Sequence, residues 1–104
     1  MARTFGDKFL LELNAIENDT LGTRLAKVCI AANIPASYVA VALEVSKLTI
    51  YRWYRRSSLV TFTKRKSVEI FTAVVEDDLK NGRLPATSTK DARSYIESMV
   101  GIPV

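Results

Sequence analysis

The sequence predicts an all-α fold, and three observations lead there. Apolar residues recur at helical spacing along most of the chain, capping residues stand where those stripes begin, and Pro or Gly stands where two of them stop. At 104 residues and 48% hydrophobic content, the chain is expected to form one domain over residues 1–104, large enough to fold alone.

Each element has its own reason. Over residues 5–18, Phe9, Leu10, Leu13 and Ile16 share a stripe while Asp7, Lys8, Glu12 and Glu17 lie elsewhere, which predicts an amphipathic N-terminal helix. Asn18-Asp19-Thr20 breaks it and supplies a cap for a helix over 20–33 that buries Leu21, Leu25, Val28 and either Cys29 or Ile30. Pro35 drives Ile34 out of the helical region and suits the first turn of a helix over 35–43, whose apolar face is Val39, Ala40 and Leu43. Ser46 can cap a third helix, 46–56. Val45, Ile50 and Trp53 mark its inner side, and Lys47, Leu48, Tyr51, Arg52 and Arg55 are left outward. Ser57-Ser58 is expected to end it.

Leu59 to Thr63 has the β-branched and aromatic content of an extended segment. A wing strand and a connecting loop are both open there; with no partner hairpin, the loop is favoured. Helical spacing returns over 63–82, with Val68, Phe71, Val75 and Leu79 on one stripe and Ile70 and Val74 beside it, and Gly82 stops it. Ser88-Thr89-Lys90-Asp91 resembles a capping box with Asp in place of Glu. It opens a last helix, 88–100, carrying Ala92, Tyr95, Ile96, Met99 and Val100 at helical spacing.

Within residues 36–56, the series Ala40, Leu43, Glu44-Val45-Ser46, Thr49-Ile50 and Trp53 resembles the helix-turn-helix of bacterial and phage transcription regulators. The likeness covers about 20 of the 104 residues, so it implies a module. It implies that residues 20–56 form a trihelical core, flanked by the N-terminal helix and the two C-terminal helices, with 46–56 as the recognition helix in the major groove. One position departs: Glu44 stands where the family usually has Gly. A left-handed Glu44 would cost on the order of 1 kcal/mol, and a differently shaped turn is the other option.

Charge agrees with a nucleic-acid partner. The net charge is +4, and between Glu44 and Glu69 there is no acid while seven of the fifteen basic residues lie there. Lys47, Leu48, Tyr51 and Arg52 are the candidates for base contact, the cations toward guanine acceptors and the apolar surfaces toward a thymine methyl. Ser46 and Thr49, at the amino end of the helix, are candidates for phosphate, as are Arg55 and Arg56 at its carboxyl end and Lys64, Arg65 and Lys66 beyond. Trp53 is assigned to the core.

The expected function is therefore sequence-specific binding of double-stranded DNA by a transcriptional regulator, acting by promoter occlusion or by contact with RNA polymerase. Two alternatives stay open: a small terminase subunit that recognises phage DNA for packaging, and a protein-interaction module that does not bind DNA. Surplus apolar faces at 5–16, 68–79 and 92–100 suggest a homo-oligomer, with a dimer favoured because two-fold dimers double the contacted site, although 104 residues also suffice to bury all three faces internally.

Other classes fit poorly. Histidine is absent and Cys29 is alone, which leaves almost no ligands for zinc and no His-based triad. No catalytic, metal or cofactor site is expected, and Glu76-Asp77-Asp78 is read as a solvated face. No apolar run approaches the roughly 18 residues of a membrane span, and MARTFGDKF has no signal-peptide core. A cytoplasmic chain with no membrane partner is the expectation.

Overall fold

The computed structural model describes residues 20–101, and within them the chain is helical throughout: α1 Leu21–Ala31, α2 Ala36–Leu43, α3 Lys47–Tyr54, α4 Phe62–Lys80 and α5 Thr89–Val100. No strand occurs among the described residues, and residues 59–61 form a loop, not a wing. The helix expected over 5–18 lies outside the described residues.

Thr20 starts α1 through a reciprocal cap. The Thr23 amide donates to Thr20 Oγ1 at 3.2 Å, and the Thr20 amide donates to Thr23 Oγ1 at 2.8 Å. At the other end Asn33 turns left-handed (φ 60°), so the Asn33 and Ile34 amides reach back to Ile30 and Cys29. Its side-chain amide then donates to the Ala86 carbonyl at 2.9 Å, and the Ala86 amide donates to the Ala32 carbonyl at 2.9 Å. Two hydrogen bonds thus pin the α4–α5 connection against the α1–α2 turn and hold Leu84 and Ala86 in the core.

Helix α1 packs on α3 and α4, while α2 packs on α3, α4 and α5. Leu25, Cys29, Val39, Ile50, Trp53, Val68, Val75 and Ile96 close the common core. Gly22 is where α1 and α3 come closest: a Cβ there would lie 2.6 Å from the Trp53 carbonyl oxygen. Only a residue with no side chain lets the two backbones approach so closely.

Helix α4 buries Val68, Phe71 and Val75 as its spacing predicts, half-buries Leu79 of the same stripe, buries Thr72 as well, and leaves Ile70 and Val74 exposed. Helix α5 starts at Ser88, whose Oγ accepts the Asp91 amide at 3.1 Å. The Asp91 carboxylate accepts the Thr87 amide at 2.9 Å, one residue earlier than a full capping box would require. Gly82 and Gly101, both left-handed, terminate α4 and α5.

Candidate nucleic-acid interface

Helix α3 is set by its two ends and its buried side. Ser46 Oγ accepts the Thr49 amide at 3.1 Å and lies 2.9 Å from Thr49 Oγ1, which fixes the first turn. Ile50, Trp53 and Tyr54 are buried, so the helix cannot roll. At 100° per residue, positions 47, 48, 51, 52 and 55 fall within an arc of about 140° on the other side. Leu48 on that arc is 58% exposed, and Lys47, Arg52 and Arg55 are exposed with it.

The members of the arc differ in freedom. Arg52 has no ion-pair partner among the described residues. Lys47 Nζ sits 5.8 Å from the centre of the Tyr51 ring, and Tyr51 is half-buried against the core. The ring can therefore offer an edge to a partner and not its whole surface.

The helix ends two residues sooner than 46–56 predicts. Tyr54 is its last residue, Arg55 the cap, and Arg56 is left-handed at φ 63°. The Ser57 amide donates to the Arg52 carbonyl at 2.9 Å and the Arg56 amide to Trp53 at 3.3 Å, which closes the end of the helix. Arg55 and Arg56 thus project from a turn, both exposed. At the amino side the turn residue Glu44 is left-handed as well, at φ 56°, so the turn keeps its shape without Gly.

The second group of cations divides. Lys64 is half-buried and its Nζ donates to the Leu43 carbonyl at 3.1 Å, where a cation satisfies the carboxyl end of α2. A charge unfavourable in the first turn of α4 is thereby used favourably on α2. Arg65 and Lys66 are exposed. Thr61 caps α4 without a side-chain hydrogen bond.

The acids do not converge. Glu76 pairs with Arg24 of α1, Asp78 accepts the Tyr95 hydroxyl at 2.5 Å and lies 3.9 Å from Arg83, and Asp77 is exposed. Asp77 keeps the solvated position expected of all three, while the helix turns Glu76, still partly exposed, toward α1 and Asp78 toward α5. No group of metal-ligating side chains occurs among the described residues. Burial, and then the hydrogen bond to Asp78, raises the Tyr95 phenol above its ordinary range. Burial also pushes the Cys29 thiol, beside the Tyr54 hydroxyl, up to about 12, as suits a core residue.

Tyr54 and Phe62 carry roles the sequence pattern did not disclose. Tyr54 is wholly buried, beside Trp53 at the end of α3. Phe62 is 88% exposed at the first turn of α4, and the only sign of it in the sequence is one aromatic residue between two threonines ahead of Lys64. Among the described residues no helix is long and apolar enough to cross a membrane. Comparison of the chain with protein-family models, curated proteins and solved structures finds no match.

Proposed function

We propose that the chain is a sequence-specific double-stranded DNA-binding regulator that lays α3 in the major groove, with α1 to α3 as a helix-turn-helix core. One observation carries the reading. The exposed arc of α3 presents Lys47, Leu48 and Arg52, while Trp53 and Ile50 turn away from it into the core and buried Tyr54 borders it. An α-helix of eight residues is about 12 Å long, close to the width of the major groove, so both turns can reach base edges.

Support also comes from the ends. The amino end of α3, with the Ser46 and Thr49 hydroxyls, suits a phosphate. Arg56 occupies a left-handed position where Gly would be less strained by roughly 1 kcal/mol, and a cation kept at that cost fits a backbone contact. Arg52 and Lys47 would read bases, Leu48 and the edge of Tyr51 would meet a thymine methyl, and Arg55, Arg56 and Arg65 would follow phosphates. Binding would block a promoter or bring polymerase to it, and a two-fold dimer would read two half-sites about 34 Å apart.

Titration of labelled duplexes over a range of salt tests this reading. A steep fall of log affinity with log salt is expected, with Arg52→Ala losing about 1–3 kcal/mol on the preferred site and less on random duplex. Equal losses on both duplexes would remove the base-reading role of Arg52. Absence of duplex binding at low salt would overturn the proposal and favour a protein-binding role for the same face.

A further inference from the structure

We infer that the outward face of α4 is a self-complementary surface through which two copies of this chain pair antiparallel about a two-fold axis. The face lies opposite the buried Val68, Phe71 and Val75. At 100° per residue, Phe62, Lys66, Ile70, Ala73, Asp77 and Lys80 fall within about 80° of one another, Lys80 at the last turn and in line with Phe62. All six are exposed, Phe62 to 88% and Ile70 to 56%. Scattered apolar residues are ordinary on a surface, but here they line one side of a single helix with a charge at each flank.

The order of these residues selects the occupant. An antiparallel copy related by an axis between positions 71 and 72 brings Lys66 opposite Asp77 and Ile70 opposite Ala73, and symmetry makes each pair twice. A large side chain then meets a small one at the centre, which lets the helix axes close to about 8–10 Å, and opposite charges meet outside it. A parallel copy would set Lys66 against Lys66. Phe62 extends past the charged pair to cover the last turn of the second copy's helix. Neither Lys66 nor Asp77 has an ion-pair partner among the described residues, and Asp77 accepts the Asn81 side-chain amide at 3.2 Å. In this arrangement Lys66 serves the interface in place of the phosphate contact expected of it.

The inference does not depend on DNA binding and is tested without nucleic acid. Sedimentation equilibrium of the full chain, from about 10 μM to about 1 mM, spans the range of a modest dimer. Wild type is expected to dimerise, and Lys66→Glu and Asp77→Lys are each expected to weaken it by about tenfold or more through two like-charge contacts. Circular dichroism checks that both variants fold, as is expected of substitutions at exposed positions. An equimolar mixture of the two variants is expected to recover wild-type association, because every repulsive pair becomes an attractive one. A wild-type monomer at every concentration would overturn the inference, as would a dimer indifferent to both variants or a mixture that fails to recover. A monomer in which Ile70→Asp lowers Tm would overturn it too, by showing that the face is covered within the chain.

Discussion

Arg52 and Arg56 lie four positions apart, yet the chain holds them by different means. Arg52 stands on regular helix, whereas Arg56 occupies left-handed backbone at the turn that ends α3. The strain makes Arg56→Gly informative: stability should rise by about 1 kcal/mol, while affinity falls by a similar factor on every duplex sequence. Loss of stability would show that the Arg56 side chain supports the fold. Glu44→Gly should give the same gain at the other end of α3 with no loss of DNA affinity, seen as a Tm higher by about 4–8 °C. The thiol of Cys29 offers a separate check. Its proton is held more tightly in the folded chain (about 12) than at the ordinary value of 9.0. The folded state therefore loses stability as pH rises from about 9 toward 12, with no contribution below. Urea midpoints should fall more steeply across that window in wild type than in Cys29→Ala.

At the scale of elements, close approach and capping decide the geometry of the site. Gly22→Ala would push α1 away from the Trp53 carbonyl and cost about 1–3 kcal/mol, measurable by urea unfolding. An unchanged midpoint would mean that α1 shifts freely over α3. The caps at Thr20, Ser46 and Ser88 were legible because a hydroxyl ahead of an apolar stripe has a local cause. The end of α3 was not, because left-handed Arg is uncommon and Ser57-Ser58 offered a more ordinary stop. Lys64 could not be read either: its partner is the Leu43 carbonyl, 21 positions earlier, and only packing brings them together. Tyr54 was hidden for a similar reason, since a phenol can lie on either side of a helix until the chain supplies its neighbour.

For the molecule as a whole, the apolar periodicities sufficed for helices through the described residues and for most of the buried side of each. They did not show how the acids of α4 would be shared between α1 and α5, because that depends on which helices become neighbours. What emerges is a molecule with cations gathered from Lys47 to Arg65 and an outward α4 face of apolar residues flanked by Lys66 and Asp77, two surfaces with different physics. The first should make binding strongly dependent on salt, and the second should make the dimer depend on matched charge. Selection of bound sites from a random duplex library by the chain tests the central claim most directly. A single enriched motif that Arg52→Ala degrades is the expected result, whereas a pool that stays random after repeated rounds at low salt would contradict α3 as a reader of DNA.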